Sequence, residues 1–191
     1  ISPEEVELIE GHKFEEIRTL YWRNSDLNFN NPNSLIKSLE ERPQMEWLRK
    51  VHECEDERAL KYFIKDEKNN LEFNERTLKL LWECCQIPDF VKKTYGNHYE
   101  VIKNVFRFLN SEKGLISEDY MRLQLMKLDK LEGNVDSLSN RIANVRTWSY
   151  VSNKNNWVEN QSYWIEKTKH LEDRLSDRLH EELTKTFIDK R

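Results

Sequence analysis

The chain is poor in the two residues that usually form tight turns. Only four glycines and four prolines occur among its 191 residues, which disfavours a meander of short strands and favours helices joined by short polar loops. Hydrophobic residues make up 37% of the chain and charged residues 35%, so a core can form while long helical faces stay solvated. We therefore predict an all-α, multi-helix bundle of roughly seven to nine helices with an irregular N-terminal connector segment.

Capping residues and apolar periodicity place the individual helices. Ser2 and Pro3 are typical of a helix start and Gly11 of its end, while Asn31-Pro32 begins a second helix,. The spacing of apolar residues predicts further helices over 45–51, 55–64, 74–86, 98–109, 117–131, 136–151 and 162–188,. Residues 14–29 have no sustained helical period, so we expect an extended or irregular connector there.

The last predicted helix carries an unusual apolar stripe. Its apolar residues lie four positions apart, at Leu171, Leu175, Leu179, Leu183 and Phe187. Because four exceeds the 3.6 residues of one helical turn, the stripe slants around the helix. We therefore expect this helix to wrap over several partners instead of forming a straight coiled-coil seam.

The order of helical and non-helical segments along the chain predicts the domain organisation. Residues 1–31 are interpreted as a connector from a preceding domain and residues 32–191 as a helical domain. This domain is either one unit or two subdomains that divide near residue 133, where Gly133 and Asn134 interrupt the helical pattern,. The chain opens at Ile1 rather than Met, so we expect it to be a piece of a longer protein.

Charge and cysteine content narrow the functional classes. The net charge is −4 and the isoelectric point is near 5.8, which disfavours a free-standing nucleic-acid-binding domain, because such domains usually have values above about 9. The three cysteines form no CxxC pair, which favours a reducing, cytosolic compartment. The sequence contains no signal-peptide pattern and no apolar run of membrane-spanning length,.

Several kinds of catalytic and cofactor site are disfavoured by residue spacing. The four glycines lie too far apart for a GxGxxG motif, and none of them is followed by the lysine of a phosphate-binding loop,. The five histidines show no paired-ligand spacing, so no metal site is predicted,. We accordingly predict no catalytic residue and no cofactor within this chain.

A basic, aromatic strip is the most informative functional feature. Residues 137–158 contain no Asp or Glu, although acids occupy 35 of the 191 positions, and such a strip suits the phosphates and bases of a nucleic-acid strand. Our candidates for strand contact are Arg141, Arg146, Trp148 and Lys154. The alternative is that Trp148 belongs to the core and that the arginines pair with acids elsewhere in the chain.

The chain resembles a known protein family in four segments that occur in the same order. These segments are Leu20-Tyr21-Trp22-Arg23-Asn24 followed by Leu27 and Phe29, Leu80-Leu81-Trp82-Glu83-Cys84-Cys85-Gln86-Ile87-Pro88-Asp89-Phe90, Leu138-Ser139-Asn140-Arg141-Ile142-Ala143-Asn144-Val145-Arg146-Thr147-Trp148 and Leu175-Ser176-Asp177-Arg178-Leu179-His180-Glu181-Glu182-Leu183-Thr184-Lys185. Together they are similar to the C-terminal region of bacterial Suv3-like ATP-dependent helicases, which are DExH-type superfamily 2 enzymes that act on RNA or DNA.

The resemblance implies a function for the chain as part of a larger enzyme. The parent protein would carry two RecA-like motor domains that use ATP and Mg²⁺, and this chain would be their non-catalytic helical appendage, helping to form the single-strand channel. Under this interpretation Trp22, Arg23 and Asn24 are candidates for docking on the motor domains, because an aromatic residue beside a planar donor is a common interface anchor.

An alternative function belongs to a different class. The helical faces could instead form a protein-interaction scaffold that recruits an exoribonuclease or another partner, as the resemblance also allows. Strand binding that weakens steeply with salt would distinguish the channel from the scaffold. Both interpretations imply a location in the bacterial cytoplasm, without a membrane partner.

Overall fold

The computed structural model describes residues 3–11, 19–66, 72–92 and 95–189. Within these ranges the predicted all-α bundle is confirmed, with eight helices and one small sheet. The helices are α1 (Pro3–Glu10), α2 (Pro32–Leu39), α3 (Glu55–Lys65), α4 (Glu75–Cys85), α5 (Tyr95–Leu109), α6 (Glu118–Leu128), α7 (Val135–Asn153) and α8 (Gln161–Asp189). The strands are β1 (Leu20–Trp22) and β2 (Leu48–Lys50).

Side-chain caps explain where several helices begin. At the start of α4, the Asn74 carboxamide accepts a hydrogen bond from the Thr77 backbone N–H at 2.9 Å. The Thr77 hydroxyl in turn accepts one from the Asn74 N–H at 2.9 Å. Such a cap satisfies backbone donors that have no partner inside the helix and contributes about 1 kcal/mol. Equivalent caps begin three other helices, formed by Asn31 at α2, Ser117 at α6 and Asn134 at α7.

The predicted connector contains a strand that the sequence did not reveal. Residues 12–18 lie outside the described residues, whereas residues 19–31 have no regular secondary structure apart from β1. Strand β1 pairs in parallel with β2, and the register sets Leu20 beside Leu48, Tyr21 beside Arg49 and Trp22 beside Lys50. The predicted helix over 45–51 is therefore wrong, because the backbone there forms a turn and then a strand.

Helices α7 and α8 form the most extensive helix pair. The short turn 154–160 lets α8 run back along α7, and Arg146 of α7 meets Glu172 of α8 at 2.7 Å.

The core is shared by seven helices and includes Leu35, Leu39, Leu60, Leu78, Leu81, Ile102, Val105, Met121, Leu125, Leu138, Val145, Trp164, Leu171 and Leu175. The apolar stripe of α8 is buried at Leu171 and Leu175 but exposed at Leu183 and Phe187.

Candidate nucleic-acid interface

The acid-free strip occupies α7 and the turn that leads into α8. Asn134 caps the start of α7, and Lys154 follows its last residue, Asn153. One face of α7 is buried at Leu138, Ile142 and Val145, as its apolar period predicts,. Ser149, which the period places on the same face, is half-buried, whereas Trp148 and Val151 are buried. Helix α7 therefore packs one side of the strip against the core. The four candidate contact residues, Arg141, Arg146, Trp148 and Lys154, have different surroundings.

Trp148 belongs to the hydrophobic core. Its side chain is only 4% exposed, and its ring meets that of Tyr120 edge to face at 5.7 Å between centroids. An indole in this position presents no open face on which a base could stack. The prediction that Trp148 contacts a strand is therefore corrected: the residue packs between α6 and α7.

Arg141 ties the loop before α7 to the helix. Its guanidinium donates to the backbone carbonyl of Lys130 at 2.8 Å and also to that of Glu132. At Gly133 the backbone has a φ of +124°, and an added Cβ would lie 3.1 Å from the Ser137 side chain and 3.4 Å from the guanidinium of Arg141. Glycine is required there, because a larger residue would push the loop away from Arg141.

Arg146 is exposed and linked to α8. Its Nε donates to the Glu172 carboxylate at 2.7 Å. This ion pair matches the alternative allowed by the sequence, in which the arginines of the strip pair with acids elsewhere in the chain. The exposed pair contributes modestly to stability. Contact between Arg146 and a strand stays a prediction, because the guanidinium still lies at the surface.

Lys154 is held by aromatic rings instead of an acid. Its ammonium lies 5.3 Å from the centroid of the Trp157 ring and 5.9 Å from that of Tyr150, within the range of cation–π attraction. No ion pair joins it to any described residue. Lys154 therefore retains a positive charge that a phosphate could neutralise.

A shallow groove of about 620 Å³ lies beside this turn. It runs between α4 and the turn after α7, and is lined by Arg76, Lys79, Leu80, Glu83, Asn155, Asn156 and Trp157, among others. Arg76 and Lys79 come from a distant part of the chain, and no local signal in the sequence places them beside residues 155–157. Lys79 is partly neutralised by Glu75 at 2.9 Å, so the groove has mixed charge.

Two of the three predicted docking residues, Arg23 and Asn24, contact the chain's own helices. Arg23 donates to both oxygens of Asp56 at 2.8 and 3.1 Å and lies 5.5 Å from the centroid of the Trp82 ring. The hydrogen bond to Asp56 raises the pKa of Arg23. Asn24 is 9% exposed, and its Nδ2 donates to the carbonyl of Ser38 at 3.0 Å.

Burial contradicts the docking prediction for Asn24, whereas the docking role of Arg23, whose side chain is 30% exposed, stays a prediction. Arg23 and Asn24 anchor the segment after β1 to α2 and α3, which leaves Asn24 without surface for another domain. Trp22 is half-buried, and its carbonyl accepts a hydrogen bond from the Val51 N–H at 2.9 Å. A docking role for Trp22 stays a prediction.

Comparison of the chain with protein-family models, curated proteins and solved structures gives no match in any of the three.

The described residues offer little for covalent or metal chemistry. Burial raises the pKa of the Cys84 and Cys85 thiols, so both remain protonated and unreactive at neutral pH. Within the described ranges, no group of three or more His, Cys, Asp or Glu side chains could hold a metal ion. No helix in these ranges is long and apolar enough to cross a membrane.

Proposed function

We propose that the chain is a non-catalytic helical C-terminal domain of an ATP-dependent RNA or DNA helicase, where it helps to form the single-strand channel. In this proposal ATP and Mg²⁺ act in separate RecA-like motor domains, and the helical bundle contributes part of the wall that the strand passes.

The observation that carries the proposal is the packing together of the four segments that resemble Suv3-like helicases. Arg23 of the first segment lies over the ring of Trp82 in the second. Thr147 of the third donates its hydroxyl to the carbonyl of Pro88 in the second at 3.2 Å. Leu175 of the fourth segment is buried in the same core. Segments that pack into one core would be retained together in a shared fold, and this packing supports the proposal.

Lys154 gives the proposal a specific strand contact. No ion pair joins it to a described acid, and its neighbours Asn155 and Asn156 present exposed amide side chains to the groove, which Glu75 and Glu83 also line. Ammonium and amide groups commonly bind the phosphate and sugar backbone, which positions a strand without reading its sequence.

Strand binding by the purified chain tests the proposal. Fluorescence anisotropy with a labelled single-stranded oligonucleotide, repeated between about 50 and 200 mM salt, should give an affinity that falls with salt. Lys154→Ala should reduce the slope of log affinity against log salt by about 0.7, the value for one phosphate contact on a single strand. Lys167→Ala is the matched control, because Lys167 also lies over an aromatic ring, that of Tyr163, at 5.6 Å.

The outcomes separate the two functional classes. A salt-dependent affinity that Lys154→Ala weakens and Lys167→Ala does not supports the channel. An absence of binding at the lowest salt concentration would overturn the proposal in favour of a protein-interaction scaffold.

A further inference from the structure

The small β1–β2 sheet displays the most exposed aromatic rings near the N-terminal end of the protein. Trp47 is 59% exposed and Tyr21 is 63% exposed. All six tryptophans lie within the described residues, and Trp47 alone among them is exposed. An exposed tryptophan and tyrosine on neighbouring segments are unusual, because large aromatic side chains normally contribute to the core or to an interface.

The sheet places Arg49 beside Tyr21 and two residues after Trp47. Tyr21 and Arg49 are direct partners in the parallel register, so their backbones are about 5 Å apart. Trp47 precedes Arg49 by two residues, on the turn that the Leu48 N–H closes by donating to the Met45 carbonyl at 3.1 Å. Its Cα is therefore within about 7 Å of that of Arg49. Consecutive nucleotides of a strand could reach both rings and the cation together.

The charge around the sheet favours an anionic ligand. Glu40 and Glu53 are occupied by the ammonium of Lys61, at 2.8 and 3.0 Å. No ion pair joins Arg42 or Arg49 to another described residue. Two exposed arginines thus have no ion pair within the described residues, but Glu46 beside Trp47 also has none and reduces the local positive charge.

We infer that Tyr21, Trp47 and Arg49 form a binding surface for single-stranded nucleic acid. Bases stack on the two rings, and the guanidinium of Arg49 contacts a phosphate between them. Aromatic residues displayed by a sheet beside basic residues are a common way to hold a strand without reading its sequence. The inference rests on the proposed function for its kind of ligand, but it names a surface other than that of Lys154.

Anisotropy measurements with a fluorescein-labelled oligouridylate of about 12 nucleotides test this surface, a length within the range that single-strand sites cover. Tyr21→Ala and Trp47→Ala should each weaken binding roughly 5- to 150-fold, the effect of losing one base-stacking contact, with the salt slope unchanged. Arg49→Ala should reduce the salt slope by about 0.7. Glu46→Gln should strengthen binding, because it removes an acid beside Trp47.

Two further variants control for general surface effects. Tyr163→Ala removes another exposed tyrosine, on α8, and should leave the affinity unchanged. Trp47→Phe keeps an aromatic ring and should retain most of the binding. All the altered residues are exposed, so melting temperatures should match that of the wild type.

The possible failures are distinguishable. Salt-dependent binding that none of the Tyr21, Trp47 and Arg49 variants changes would overturn the surface while leaving the proposed function intact. Failure of the wild-type chain to bind the oligouridylate at low salt would overturn both. Loss of binding in the Tyr21 and Trp47 alanine variants, with rescue by Trp47→Phe, supports the surface.

Discussion

Trp148 and Trp47 occupy opposite environments and should respond oppositely to truncation. Trp148→Ala removes a buried indole and leaves a cavity, so the free energy of unfolding should fall by about 3 to 5 kcal/mol. Trp47→Ala removes an exposed ring and should change it by no more than about 0.5 kcal/mol. Chemical denaturation of both variants measures the difference. A Trp148→Ala protein as stable as the wild type would contradict the placement of its indole in the core.

The side of α7 on which Trp148 packs could not be decided from the sequence. Leu138, Ile142 and Val145 define the centre of the buried face, on which Ser149 also lies, whereas Trp148 lies about 90° to one side. The helical period therefore predicts Ser149 on the buried face and Trp148 on its flank, but the indole is buried in the structure. Burying an indole removes far more apolar surface from water than burying a serine. The ring of Tyr120 on α6 also packs against the indole. The position of Tyr120 depends on how α6 packs, and the sequence of α7 does not specify this packing.

Helix α8 should be stabilised unevenly along its length. Its first half packs along α7, whereas its last turns extend past the core, with Leu175 fully buried and Leu183 45% exposed. Leu175→Ala should lower the free energy of unfolding by about 2 to 5 kcal/mol, and Leu183→Ala should change it by no more than about 0.5 kcal/mol. Urea denaturation of the two variants measures this contrast. Equal losses would mean that the stripe is buried along its whole length.

The sequence predicts helices far better than it predicts the sheet. Helices such as α4 and α7 depend on local signals, namely an asparagine cap and apolar residues at a helical period, and these signals are present in the chain,. Strand β2 depends on pairing with β1, which lies 28 positions earlier in the register. Without that partner, the pattern of residues 45–51 does not distinguish a strand from a helix. The exposed surface of Tyr21 and Trp47 was missed for the same reason.

At the scale of the whole molecule, ionic contacts hold the N-terminal segments to the helical body. Lys61 of α3 contacts Glu40 after α2, Glu53 after β2, and the buried Glu57 of its own helix at 3.6 Å. The second contact of this kind joins Arg23 to Asp56. Loss of Lys61 should therefore affect several segments together, because one ammonium serves three carboxylates.

The pKa shifts in this network give the direction of its pH dependence. The hydrogen bond with Lys61 lowers the pKa of Glu40, and the same bond raises the pKa of Lys61. The carboxylate contributes stability above its unfolded pKa of about 4.3 and loses it as pH falls through the folded value. The ammonium contributes below its unfolded pKa of about 10.4 and loses it as pH rises through the folded value. Both contributions are present between about pH 5 and pH 10.

Replacing Lys61 should change both the stability and its pH profile. Lys61→Met leaves the buried Glu57 without its neighbouring cation, so the free energy of unfolding at neutral pH should fall by about 3 kcal/mol. The decline in melting temperature below about pH 5 should also become shallower, because the pKa of Glu40 returns towards its ordinary value. Thermal unfolding followed by circular dichroism across this pH range measures both effects. Lys113→Met, which breaks an exposed 3.3 Å pair with Glu159, should keep the wild-type profile. A Lys61→Met profile parallel to that of the wild type would mean that the network contributes no pH-dependent stability.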